Sequence, residues 1–316
     1  VEHRVTELVT GLDLVELQLS VAGGEAVPDQ AAVATHGAAI EVRVVAEDPG
    51  AGWLPSTGSI ARFDVPDGVL VDTGVRAGSV VSSDYDSLLA KVVAWGSDRE
   101  AAARALRRAL LAAQIAGVAT NVASAAALLG EEDFLAGATR TSYLDDHPDV
   151  VRAGPAGEDE LALLLGAVFA DELAQRDTDR VTGFAPSGWR NLRTQGQRRA
   201  WRTGDVEHRV EYTMFGDRAE VLIGAWPVPG PDGALAPDER RRVTVRLLDR
   251  SATHQVIEVD GVRRRVDVIH QGDVIHTFGS AGSITWTRVP RFVDHEAELA
   301  AGGPVAPLPG TVIAVH

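Results

Sequence analysis

The sequence predicts an α+β chain in two parts, and three observations support it. Up to about residue 150, helical segments with capping signals alternate with short strands. A stretch of Gly, Pro and Ala from Arg152 to Gly157 then reads as a linker. Beyond it, an apolar helix precedes a series of short alternating strands. That is the pattern of a mostly antiparallel β-barrel wrapped around a long helix.

The elements follow in chain order. Asp13 with Glu16 has the form of a capping box, which predicts a helix over 14–21 stopped by Gly23-Gly24. In AAIEVRVVAEDP, Ile40, Val42 and Val44 point one way and Glu41, Arg43 and Val45 the other. Glu41 and Arg43 therefore share a strand face. Asp48-Pro49-Gly50 ends that strand, and WLPSTG reads as a loop before a short strand around 59–65. Ser97 to Glu100 forms a second capping box, predicting a helix to about Ile115 that stops at Gly117. Thr120-Asn121 is read as the cap of a shorter helix ending at Gly130.

In the second part, Glu158 to Gln175 has helical length but no clean polar face, so other structure should enclose it. Turn signals at Phe215-Gly216-Asp217, Asp260-Gly261, Gln271-Gly272-Asp273 and Ala281-Gly282 mark a meander of hairpins. A barrel would leave that meander no exposed edges. His254, His270 and His276 lack ligand spacing and are read as exposed strand histidines. His295-Glu296-Ala297-Glu298 lacks the second histidine of a helical zinc motif. No metal site is expected.

Composition narrows the function classes. The chain has 316 residues and a formal net charge of −15, which disfavours nucleic acid or an anionic membrane as partner. No apolar run approaches the roughly 20 residues of a membrane span. Cysteine is absent, which removes thiolate chemistry and fits a cytoplasmic home. Lys91 is the only lysine; every other basic side chain is arginine. The opening VEHRVTEL has neither an initiator Met nor a charged-then-apolar leader, and reads like the middle of a longer sequence.

Several separated segments converge on one family. VEHRVTELVTGLDLV, AAIEVRVVAEDP, WLPSTGSI, YDSLLAKVVAWG and GVATN resemble, in order and spacing, the C-terminal half of biotin carboxylase, the ATP-grasp component of biotin-dependent carboxylases. SGWRN at 187–191 and the segment around it resemble the middle, carboxyltransferase-docking (BT) domain of acyl-CoA carboxylase α subunits. PLPGTVIAV is similar to the opening of a biotinyl carrier domain, with Leu308 where methionine is usual. The resemblance implies four parts: residues 1–150 for the carboxylase C-terminal region, 157–293 for the BT domain, 294–306 for a linker, and 307–316 for the first carrier strand.

In that family ATP activates bicarbonate, and biotin on a mobile carrier accepts the carboxyl group. By resemblance, Glu2 matches the base that deprotonates bicarbonate, and the amide of Val1 lies where the same anion binds. Arg43 matches the arginine that stabilises the biotin ureido oxygen, a role suited to a permanently charged planar donor. Tyr85 and Asp86 match a YD motif at the rim of the biotin site. Phe184 and Trp189, with Pro186, form an aromatic loop expected to dock the carboxyltransferase β subunit. Lys91 matches a structural lysine. Tyr85-Asp86 also fits a plain turn before a buried strand, and Arg43 a salt bridge to Glu41.

The sequence departs from the pattern in places. Arg4 stands where proline is usual, and Leu70 where many members carry an arginine near the carboxylase dimer contact. The Gly-rich loop, nucleotide-clamping lysines and metal-binding Glu and Asn of the family have no counterpart between Val1 and His316. Biotin would sit on the remainder of the carrier, and ATP with Mg or Mn mainly on the upstream half. The sole methionine, Met214, has no lysine beside it, so these residues alone are expected neither to hydrolyse ATP nor to become biotinylated. The expected partners are the carboxyltransferase β subunit and the carrier domain, with acyl-CoA reached only through the former. SGWRN leans toward the methylcrotonyl-CoA type. The competing expectation is a non-catalytic module that joins carboxylase partners.

Overall fold

Strand register and buried side chains show how the sequence becomes structure in a computed structural model, which describes residues 3–178, 180, 195–226 and 238–291. These residues divide into two compact units that part between Gly154 and Pro155.

The first unit runs α1 (His3–Thr10), α2 (Leu14–Ala22), β1 (Ala38–Val45), β2 (Glu47–Asp48), β3 (Leu54–Pro55), β4 (Gly58–Ser59), β5 (Arg62–Asp64), β6 (Leu70–Thr73), β7 (Val80–Val81) and β8 (Leu88–Gly96). It continues with α3 (Arg99–Ala112), β9 (Gln114–Ala116), α4 (Val122–Leu128), α5 (Glu132–Leu135), α6 (Tyr143–Asp146) and α7 (Pro148–Val151). Its centre is an antiparallel sheet in the order β1-β8-β6. One face, carrying Ile40, Val44, Ala90, Val92 and Ala94, packs with Ala102, Ala103, Leu106 and Leu110 of α3. Gly96 permits the close approach at the start of α3, since a Cβ there would meet the Ala102 nitrogen at 2.4 Å.

Asp13 caps α2 by accepting the Glu16 N–H at 2.8 Å, while Glu7 accepts the Leu14 N–H at 3.0 Å and ties α1 to α2. Three local expectations need correction. Asp98, not Ser97, caps α3, accepting the Ala101 N–H at 2.7 Å. That helix ends at Ala112 rather than near Ile115, because Gln114–Ala116 pair with Arg62–Asp64 as a strand. The strand expected over 59–65 is two pieces, β4 on β7 and β5 on β9.

The second unit comprises α8 (Glu158–Thr178) and eight strands: β10 (Gln197–Thr203), β11 (Val206–Phe215), β12 (Arg218–Ile223), β13 (Arg241–Arg250), β14 (His254–Val259), β15 (Val262–Gln271), β16 (Val274–Gly279) and β17 (Gly282–Arg288). They form a closed antiparallel barrel, sealed where Trp201 and Arg202 pair with Arg288 and Thr287. Two-residue turns supply most hairpins. Asp260 and Gly261 both hold positive φ, 50° and 77°, as a type I′ turn requires. The β10–β11 turn at Gly204-Asp205 was not singled out in the sequence. At the last hairpin Gly282 opens β17 and the turn residues are Ser280 and Ala281, one position earlier than expected.

From Leu161 to Glu172 every residue of α8 is buried. Its Leu165, Val168 and Phe169 join Trp201, Tyr212, Ile257, Ile275 and Trp286 of the strands in one apolar cluster. Burial of each such side chain contributes about 1.5–3 kcal/mol. Charges tie the helix to the strands: at its start Glu158 pairs with Arg241 at 2.7 Å and Asp159 with Arg264 at 3.3 Å, while further along Asp171 meets Arg199 and Arg288, and Glu172 meets Arg250. Glu158, Asp159 and Glu160 in the first turn and Arg176 in the last also complement the helix dipole. His276 is buried, not exposed as expected; its ring contacts Thr285 Oγ1 at 2.9 Å and Gln271 Oε1 at 3.2 Å.

Candidate functional site

The second face of the β1-β8-β6 sheet carries the charge. Alternation puts Glu41 and Arg43 of β1 on this face, and the register sets Arg43 opposite Lys91 and Lys91 opposite Asp72. Arg43, Lys91 and Asp72 thus form a row across three strands, because directly opposed residues project to the same side. The adjoining row is Glu41, Val93 and Leu70. Arg43 is exposed, whereas the Glu41 side chain is only 6% exposed and its carboxylate lies 3.9 Å from Lys91 Nζ. Lys91 is therefore part of this charged row as well as of the strand. Helix α1 packs on the same strands, and its Arg4 binds Asp72 through Nε at 2.5 Å and Nη2 at 2.9 Å.

A β-bulge follows at once. Val44 pairs with Ala90 but Val45 pairs with Leu88, which leaves Leu89 as the extra residue of β8. Bulges twist a strand locally and re-aim its side chains. Side chains satisfy the backbone groups around this one. Asn121 Oδ1 accepts the Val45 N–H at 3.0 Å, and the Thr73 hydroxyl donates to the Leu89 carbonyl at 2.8 Å. Asn121 Nδ2 also donates to the Arg43 carbonyl at 2.9 Å. The sequence reading gave Asn121 to the start of α4; it makes no side-chain cap bond there.

Tyr85 and Asp86 lie on the loop that leads into β8, both exposed, with Tyr85 87% accessible. Ser87 ties this loop to the end of β1: its hydroxyl donates to Glu47 Oε1 at 2.5 Å and its carbonyl accepts the Ala46 N–H at 2.8 Å. The pair therefore stands beside the end of β1 that lies opposite the bulge in β8. Val1, Glu2, Phe184, Pro186 and Trp189, with the carrier segment 307–316, lie outside the described residues.

Chemically, the face presents an exposed guanidinium on an otherwise covered, rigidly bonded strand, with a second cation opposite it. Such a pair of donors suits an oxygen on which negative charge accumulates. The sequence reading did not bring Lys91, Asp72 and Asn121 to the site. The alternation of Leu89, Lys91 and Val93 against Ala90, Val92 and Ala94 was the available signal for Lys91.

The barrel unit has a concavity of about 650 Å³, lined by Arg198, Arg199, Arg209, Arg288, Trp226 and Gln175 among others. Its cations already have internal partners: Arg198 meets Glu211, Arg209 meets Glu207, and Arg199 and Arg288 converge on Asp171. Among the described residues no group of three or more His, Cys, Asp or Glu could hold a metal, and no helix is long and apolar enough to cross a membrane.

Comparison with known proteins bears on this face. Residues 41–146 match the family described as the biotin carboxylase C-terminal domain. The mouse mitochondrial methylcrotonoyl-CoA carboxylase subunit alpha is 30% identical over 328 residues, covering 99% of this chain and 44% of that protein. Human mitochondrial pyruvate carboxylase is 40% identical over 214 residues, covering 61% of this chain and 18% of that protein. The biotin carboxylase domain of Hydrogenobacter thermophilus 2-oxoglutarate carboxylase, solved with MgADP, ADP and bicarbonate, overlays with a TM-score of 0.48 at 37% identity, over 49% of this chain and 35% of that one. The chain spans less than half the length of each of these relatives. Arg43, Tyr85, Asp86, Lys91 and Asn121 all fall inside the segment that matches the biotin carboxylase C-terminal domain, and the chain is similar to biotin-dependent carboxylases over that part of their sequence.

Proposed function

We propose that this chain is part of the α subunit of a biotin-dependent acyl-CoA carboxylase, whose intact form uses ATP and a divalent cation to carboxylate carrier-bound biotin with bicarbonate. The observation that carries the reading is the exposed Arg43 on its charged row, opposite Lys91 and braced at a bulge within the matched domain. When bound, biotin supplies a ureido group whose nitrogen accepts the carboxyl and whose oxygen gathers negative charge. Arg43 would meet that oxygen with the planar, fixed donors of its guanidinium. Lys91 adds positive potential behind it and keeps Glu41 occupied. Glu2 would take the proton from bicarbonate, with the Val1 amide holding the anion and Tyr85 and Asp86 at the rim.

In the same proposal, residues 157–293 form a BT domain, a barrel around α8, that docks the carboxyltransferase β subunit through Phe184 and Trp189. Residues 294–306 link it to a carrier whose first strand is 307–316. The acyl-CoA reaches only the β subunit, and the methylcrotonyl type is the favoured one, in keeping with the match of 99% of this chain to 44% of the mouse subunit.

The test uses the intact subunit. It should cleave ATP in the presence of bicarbonate, carboxylate free biotin, and retain a carboxyltransferase subunit on co-purification. Co-purification without any biotin carboxylation would favour the non-catalytic assembly module instead. Loss of β-subunit retention on Trp189→Ala, with the barrel still folded, would locate the docking loop.

A further inference from the structure

We infer that Asn121 is a positioning residue for Arg43, setting the height and direction of its guanidinium by gripping the strand at the Arg43 carbonyl and, two residues on, at the Val45 N–H. The inference rests on the reading of Arg43 given above, and the geometry supplies the rest. One carboxamide spans the strand segment, donating to the carbonyl of Arg43 at 2.9 Å and accepting from the N–H of Val45 at 3.0 Å. The donor–acceptor demands of those two backbone groups permit only one orientation of the amide. They are also groups beside a bulge, where β8 leaves the ladder irregular between Val44 and Val45. With no bond at this point, β1 could untwist toward a regular ladder and swing Arg43 away from its row.

The grip comes from a loop that is itself anchored. Gly117, at φ 111°, lies against β4 so closely that a Cβ would meet the Ser59 carbonyl oxygen at 2.0 Å. Two residues on, the Ala119 N–H donates to Ser56 Oγ at 2.9 Å. The Asn121 carbonyl accepts the Ala125 N–H at 2.9 Å, which fixes it to α4. The bonds of Asn121 therefore transmit a fixed frame to one short segment of β1, and Arg43, where that segment begins, is the residue of β1 whose side chain is exposed. Displacement of a catalytic group by about 1 Å is enough to cost on the order of 10²-fold in rate.

The experiment pairs amide hydrogen exchange on this chain with kinetics on the intact subunit, using free biotin as the acceptor. In Asn121→Ala, Val45 should exchange at least about ten-fold faster than in wild type while Val42 and Val92 keep their protection, since the opening is local. The biotin-dependent kcat should fall by about ten-fold or more with KM for ATP unchanged. Asn121→Asp, which keeps the acceptor for Val45 but not the donor for Arg43, should restore Val45 protection and only part of the rate; it also serves if the alanine variant does not fold. Adding Asn121→Ala to Arg43→Ala should cost nothing further, because the first residue acts through the second.

Additive losses, or a kcat unchanged by Asn121→Ala while Arg43→Ala abolishes turnover, would overturn the positioning role. Should Arg43→Ala itself leave the biotin-dependent rate intact, the functional reading of Arg43 fails instead. Unaltered Val45 exchange in Asn121→Ala would sink the grip on its own.

Discussion

Arg4 and Asp72 meet through two nitrogens and two oxygens, at 2.5 Å and 2.9 Å, joining the first turn of α1 to the edge strand β6. The sequence reading treated Arg4 only as standing where proline is usual. The structure gives the side chain a task. Asp72 belongs to the row that contains Lys91 and Arg43, so the ion pair seats α1 on the charged face.

Both partners are about one-third exposed, at 34% each, so solvent screens the pair. Arg4→Ala should lower stability by about 0.5–1 kcal/mol in urea unfolding, and the Arg4→Ala/Asp72→Ala double variant should lose little more than either single one. Fully additive losses would show that the pair contributes nothing as a pair.

Gly166 of α8 faces Val266 of β15, and a Cβ on the glycine would lie 2.5 Å from Val266 Cγ1. Helix propensity alone predicts that Gly166→Ala stabilises by about 1 kcal/mol. The contact reverses that sign, since overpacking a closed core costs about 1–3 kcal/mol. Thermal unfolding should show a net loss, largely recovered when Val266→Ala is added. A higher midpoint for the single variant would mean that α8 does not press on β15 as described.

Acid should loosen the barrel through His276. Burial pushes the His276 pKa down to about 4, against 6.5 for the free side chain. Between those values the unfolded chain binds a proton that the folded barrel refuses, so stability is complete above pH 6.5 and is lost as the pH falls toward 4. His270 shifts the same way, lowered by burial first, with Asp171 opposing and Arg288 adding to the effect. His276→Gln should reduce the stability difference between pH 7 and pH 5 by about 2 kcal/mol, as chemical denaturation at the two pH values will show. An unchanged difference would remove His276 from the acid response.

The barrel was legible because its signals are local: Asp260-Gly261 specifies a turn by itself, and the alternation of the strands needs no partner to be read. The run from Leu161 to Ala170, which has no polar face, likewise pointed to enclosure of α8. The charged row was less legible because it is a property of register. Arg43 meets Lys91 only because β1 and β8 pair as they do, and neither strand states that pairing. Lys91 also sits in a strand apolar on both faces, which hid the face it belongs to. Asn121 was misread for a related reason: an Asn before a helix looks like a local cap, and its bonds run instead to Arg43 and Val45, 78 and 76 residues away. Gln114–Ala116 continued the helical composition of α3 and became a strand once Arg62–Asp64 offered it hydrogen bonds. His276 became buried because its partners, Thr285 and Gln271, neutralise the polar ring inside the wall.

The most direct measurement is the rate of free-biotin carboxylation by the intact subunit carrying Arg43→Ala, with folding checked by circular dichroism. Removing a donor aimed at developing charge should slow turnover by about 10²–10³-fold. A rate within about two-fold of wild type, where such a loss is the rule, would contradict the assignment of the Arg43 face as the biotin site.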